Sequence, residues 1–145
     1  PGSNYWKGWE AHVRENLLGE GLISPDDLDL YTITERVDVA CEAISSFYRV
    51  FHSSRYVRDR LVLRLNSELS DADMEYLNQN FGDILVSGRI EKSGALPEEF
   101  GGDVPHLPRL VLHFNQRDSG RLYQMIRVIN QLGMDAPEAT HPEQK

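Results

Sequence analysis

The stretch Arg60-Leu61-Val62-Leu63-Arg64-Leu65 places leucine at every second position, with both arginines on the alternate set. A period of two marks a strand with one dry face, so the segment needs a sheet to join and a layer to cover its leucines. Arg109-Leu110-Val111-Leu112-His113-Phe114 makes the same demand, and residues 83–90 supply a third strand. Two helical patterns provide the layer. Ser70 opens one as its N-cap, with Asp73 at the third helical position and Met74, Leu77 and Phe81 on the buried side. Asp118 or Ser119 opens the other, whose apolar stripe is Leu122, Met125, Ile126, Ile129 and Leu132, and Gly133 closes it.

From Arg60 the order is therefore strand, helix, strand, strand, helix. That is most of a ferredoxin-like or ACT-like unit, an antiparallel sheet with two helices on one face. Glycine, proline and acids crowd residues 93–108, which read as a mobile loop. Residues 135–145 are polar and proline-containing, as in a flexible tail.

The first third of the chain has a different pattern. Trp6, Trp9, Val13 and Leu17 recur at three- and four-residue intervals on one helical stripe, closed by Gly19 and Gly21. Ser24-Pro25-Asp26-Asp27 starts a short helix, with Ser24 as N-cap, Pro25 at the first helical position and acids in the first turn. Tyr31-Thr32-Ile33-Thr34 is β-prone but too brief to stand alone, so it reads as one strand awaiting a sheet. A longer helix then carries Val37, Ala40, Cys41, Ile44, Phe47, Tyr48 and Phe51 on one face. Helix, short helix, lone strand and helix do not close a domain. Residues 1–46 read as the end of a Rossmann-like α/β unit, and residues 47–134 as the α+β extension. Pro1-Gly2-Ser3 fits equally a cloning scar or native sequence.

Composition excludes several classes. Hydrophobic residues are 40% and charged residues 26%, ordinary globular usage. No apolar run reaches a membrane span and no signal-peptide order opens the chain, so a soluble, cytoplasmic protein is expected. The single cysteine, Cys41, supports neither an internal disulfide nor a zinc site, and its neighbours suggest a buried thiol. A net charge of −8 argues against nucleic-acid binding. The charge is uneven, however, because residues 47–65 hold five arginines against one aspartate.

Catalytic signatures are missing. No glycine cluster joins a strand to a helix as a phosphate loop, no HExxH or paired CxxC occurs, and GxSxG is absent. No catalytic residue, metal or cofactor is assigned from the sequence. One segment stands out, the interleaved aromatics and arginines of residues 47–60. Arg49, His52, Arg55, Tyr56 and Arg58 are its candidate ligands for a nucleotide, phosphate or other anion. The competing view is structural, with Phe47 and Phe51 in the core and the arginines paired to acids.

Residues 5–45, with Tyr5-Trp6-Lys7-Gly8-Trp9 and Gly21-Leu22-Ile23-Ser24-Pro25-Asp26-Asp27-Leu28, resemble the end of the lonely-guy (LOG) family, where a YW-type helix and a G-x-I-S-P-E-D-L turn follow the catalytic core. Residues 47–65, with His52-Ser53-Ser54-Arg55-Tyr56-Val57, resemble more loosely the extension of its longer bacterial members. The resemblance implies a parent that hydrolyses the N-glycosidic bond of a nucleoside 5′-monophosphate through a PGGxGTxxE motif. Nothing here matches that motif, so the chain is expected to be its non-catalytic C-terminal portion, serving oligomerisation or regulation. Its expected partners are a second copy of itself, as a homodimer, or the missing N-terminal domain. The alternative is a free-standing ACT-like module binding a small anion.

Overall fold

The structure, a computed structural model, describes residues 4–99 and 104–133. Helix α1 (Tyr5–His12) runs on into a wider π-helical stretch at Val13–Leu18, a 3-10 turn follows at Pro25–Leu30, and then α2 (Val37–Phe47). After these come β1 (Phe51–Val57), β2 (Arg60–Leu65), α3 (Asp71–Phe81), β3 (Leu85–Ser93), β4 (Arg109–Phe114) and α4 (Ser119–Leu132). The fold is mixed α+β. Its four strands form one sheet in the order β1-β2-β4-β3, with each neighbouring pair antiparallel.

The register explains the core. Leu61 lies opposite Leu112 and Leu63 opposite Leu110, so the leucines of both central strands share a face. Met74, Leu77 and Phe81 of α3 and Met125, Ile126 and Ile129 of α4 close over that face. Burying one such side chain completely contributes about 1.5–3 kcal/mol, so these two helices and two strands hold most of the fold's apolar energy. Helix α3 begins where its capping box requires: Asp73 N donates to Ser70 Oγ at 3.1 Å, and Ser70 N donates to the Asp73 carboxylate at 2.9 Å.

The arginine face is not the solvated surface that alternation suggests. Arg64 and Arg109 sit opposite each other on β2 and β4. Two like charges so placed repel, and Glu99 resolves the conflict. Its carboxylate accepts from Arg64 Nη2 at 2.7 Å, from Arg109 Nε at 2.9 Å and from Leu96 N at 3.2 Å. Arg109 also donates to the carbonyls of Val104, Pro105 and Leu107. The described parts of the segment expected to be mobile are therefore tied to the sheet by two buried charges, Glu99 and Arg109, each 2% exposed. Residues 100–103, including Gly101-Gly102, and the tail from Met134 lie outside the described residues.

Three local expectations fail for identifiable reasons. Helix α2 ends at Phe47 rather than running to Phe51 because Asn130 of α4 captures the backbone there: its Oδ1 accepts from Val50 N at 2.7 Å and Phe51 N at 2.9 Å, while its Nδ2 donates to Phe47 O and Ile126 O. Tyr31-Thr32-Ile33-Thr34 joins no sheet. Tyr31 is extended, with φ −140° and ψ 157°, but it packs edge-on against Trp9 at 4.8 Å between ring centres instead of pairing with a strand. Cys41 is exposed, because α2 meets the rest of the fold at its C-terminal end, where Phe47 stacks on Tyr123 of α4.

The N-terminal arm, residues 4–50 ahead of β1, is tied to the sheet domain, β1 to α4, through the acidic turn. Asp27 caps its own turn by accepting from Ser24 N at 2.9 Å, and its other oxygen accepts from Gly120 N at 3.1 Å in the first turn of α4. That places a carboxylate at the positive end of α4, a favourable pairing. Gln124, one turn on, donates to Asp26 Oδ1 at 3.0 Å and Asp29 Oδ2 at 2.7 Å. Gly120 permits the contact, since a Cβ there would stand 2.2 Å from the Asp26 carbonyl oxygen. Gly120→Ala is therefore expected to push the arm off α4 and cost about 1–3 kcal/mol, the usual range for overpacking. Faster hydrogen exchange across residues 24–30 in the variant checks this; unchanged protection there contradicts it.

Candidate functional site

The five residues proposed from the sequence do not meet. They fall on α2's exit, an edge strand and a hairpin tip, and strand alternation divides the middle three. Arg55 lies opposite Val62, on the arginine face, whereas Tyr56 lies opposite Leu61, on the helix-covered face. His52 is exposed and its Nδ1 stands 2.9 Å from Ser53 Oγ. Arg58 occupies the left-handed backbone region at φ 56° in the β1–β2 turn, and its guanidinium pairs with Glu98 at 2.9 Å.

Arg49 is the exception, for it lines a cleft between the arm and α4. This cleft, of about 170 Å³, has Asp29, Thr32, Ala43, Ser46, Phe47 and Arg49 on the arm side and Tyr123, Arg127, Asn130 and Gln131 on the α4 side. Spacing alone puts the second set together: Tyr123, Arg127 and Gln131 follow at four-residue steps on one side of α4. Their side of the helix lies away from the Met125 and Ile129 core stripe. That polar stripe is the sequence signal for the cleft, and it runs beside the stronger apolar stripe of the same helix.

The cleft's polar groups differ in how far they are already committed. Asn130 is fully engaged by backbone, Ser46 Oγ donates to Ala43 O at 3.2 Å, and Asp29 accepts from Gln124. Arg49 reaches Glu42 at 3.9 Å. Arg127 has no hydrogen-bond or ion-pair partner among the described residues. The lining thus holds two guanidiniums and the Asp29 carboxylate, with Glu42 beside Arg49.

A second polar row crosses the open sheet face. Ser87 Oγ stands 3.1 Å from His113 Nδ1, and His113 Nε2 stands 3.6 Å from Asp59 Oδ2. The row has the residue types of a hydrolytic triad, but the aspartate is beyond hydrogen-bond reach and its side chain is 63% exposed. It is cross-strand polar packing between β3 and β4, extended to the β1–β2 turn. Among the described residues no group of three or more His, Cys, Asp or Glu is placed to hold a metal ion. No described helix is long and apolar enough to cross a membrane.

The fold and the cleft together define an α+β module with a small polar cleft at the seam between its arm and its sheet domain. No protein-family model, curated protein or solved structure matches the chain.

Proposed function

We propose that this chain is the non-catalytic, C-terminal part of a LOG-type nucleoside 5′-monophosphate phosphoribohydrolase, with residues 5–45 packing onto a Rossmann-type domain and the sheet domain serving as its extension. The observation that carries this reading is the arm's outward face. Neither α1 nor α2 has a buried residue, and Tyr5, Trp6, Leu22, Val37 and Ile44 are all more than half exposed. Where exposed large apolar side chains gather into a patch, the patch is characteristic of a surface that a partner covers. The arm is nevertheless held in a defined conformation: Tyr5, Trp6, Trp9 and Tyr31 form an unbroken edge-to-face ladder, and Asp27 pins the base to α4. The buried Tyr31 hydroxyl has no hydrogen-bond partner among the described residues, so the ladder's inner end calls for a polar group from elsewhere.

The sheet order supports the finer fold reading. In β2–α3–β3 the returning strand leaves a gap that β4 fills, as in a ferredoxin-like unit, and β1 takes the outer place that such a unit gives its last strand. The free-standing ACT-like alternative is favoured by one observation, the cleft with its uncommitted Arg127.

The reading is tested by base release from nucleoside 5′-monophosphates. The chain alone releases none, while a polypeptide that carries the PGGxGTxxE loop ahead of it does. Trp6→Glu with Ile44→Glu in that longer polypeptide lowers its stability and activity together. Hydrolysis by this chain alone, or a double variant indistinguishable from wild type, contradicts the proposal.

A further inference from the structure

We propose that the cleft between the arm and α4 is a binding site for a small phosphate monoester, held by Arg127 and Arg49 with the hydroxyls of Thr32 and Tyr123. This goes beyond the reading above and does not rest on it. Four observations converge. The volume of about 170 Å³ is below the roughly 300 Å³ at which drug-sized ligands begin, which suits a sugar phosphate or the phosphate end of a nucleotide. Arg127 is exposed at the rim of the cleft and its guanidinium has no hydrogen-bond or ion-pair partner among the described residues. A planar guanidinium offers two parallel donors to phosphate oxygens, and hydroxyls complete the remaining acceptor directions. Asp29 accepts from Gln124 at 2.7 Å and Arg49 reaches Glu42 at 3.9 Å, so Arg127 is the cation of the lining whose guanidinium has no partner among the described residues.

The site's position gives occupancy a consequence. One wall belongs to the arm and the other to α4, so a bound phosphate bridges the two and adds to the tie made by Asp27 and Gln124. Ligand binding and arm docking therefore favour each other by linkage.

Calorimetric titration of the intact chain with inorganic phosphate, ribose 5-phosphate, adenosine 5′-monophosphate and adenosine tests the site. The three phosphates are expected to bind saturably and to raise the melting temperature, and adenosine is not. Arg127→Ala is expected to weaken binding about tenfold or more, and Arg127→Lys to recover part of it. Because Arg127 is exposed and has no hydrogen-bond or ion-pair partner among the described residues, Arg127→Ala without ligand is expected to melt as wild type does, so loss of binding is separable from loss of structure. Arg117→Ala, ahead of α4, leaves binding unchanged. No saturable binding of any phosphate at millimolar concentration, binding that survives Arg127→Ala, equal loss in Arg117→Ala, or adenosine binding as well as its monophosphate would each overturn the proposal.

Discussion

Glu99→Ala is expected to lower the unfolding free energy by about 3–5 kcal/mol, the cost of breaking a buried ion pair by removing one member. The Glu99 side chain has no exposed surface, and its partners Arg64 and Arg109 face each other across two central strands. Without the carboxylate, two guanidiniums are left opposed in a nearly dry environment, and residues 96–99 lose their hold on the sheet. Glu99→Gln keeps the shape but not the charge, so it should recover only a fraction of the loss. Chemical denaturation of the three proteins measures the series; equal stability of wild type and Glu99→Ala would contradict the role given to the cluster.

The same group predicts a pH dependence. Burial by itself pushes the Glu99 carboxyl upward, but the hydrogen bonds from Arg64, Leu96 N and Arg109, with the charge of Arg109, outweigh it and hold the carboxyl below its ordinary value of 4.5. A carboxyl depressed in the folded state contributes stability that is complete above its unfolded value and lost as pH falls through its folded one. Wild type should therefore lose stability on acidification below about pH 4.5, and Glu99→Gln should lose less over that window. Asp71 and Glu75 are also lowered, by Lys92 and by Gln79 with Arg89, but they are fully solvated and add little.

Asn130→Leu is the second large effect. Asn130 is 4% exposed and satisfies two backbone N–H groups and two carbonyls at the point where α2 gives way to β1. Leucine fills the space but leaves the N–H groups of Val50 and Phe51 buried without acceptors, at about 1–3 kcal/mol each. A loss of roughly 3–5 kcal/mol is expected on that footing, a large share of the 5–15 kcal/mol that holds an ordinary domain. Exchange protection should fall at residues 47–51 and in β1 before it falls in β4. A variant within 1 kcal/mol of wild type, to order of magnitude, would mean that the junction is held by something other than Asn130.

How much of this was legible in the sequence depended on whether local pattern or distant contact set the structure. Strand β4 and helices α3 and α4 follow from period-two and helical spacing with caps at Ser70 and Gly133, all of it local. Strand β1 was hidden. It is an edge strand whose Ser53, Ser54 and Arg55 are polar on both faces, so it lacks the alternation that marks β2, and the preceding aromatics extend a helical pattern that only Asn130, eighty residues away, interrupts. The same strand sets the placement of the anion candidates. With residues 51–57 in a strand, Arg55 and Tyr56 leave opposite faces of the sheet. Arg49 precedes the strand and lines the cleft with Arg127, which lies on a helix dominated in sequence by its apolar stripe. The Glu99 cluster was illegible for a related reason: an acid in a proline- and glycine-rich segment looks solvated until the fold lays it over two arginines.

The proposed parent is tested most directly by the genomic sequence immediately upstream of the Asn4 codon. If this chain is the end of a LOG-type hydrolase, the reading frame continues in that direction and encodes a glycine-rich PGGxGTxxE loop between a strand and a helix. A stop codon in frame just ahead of a start at this position, or an upstream coding region without that loop, would contradict it and leave the free-standing anion-binding module as the reading of the chain.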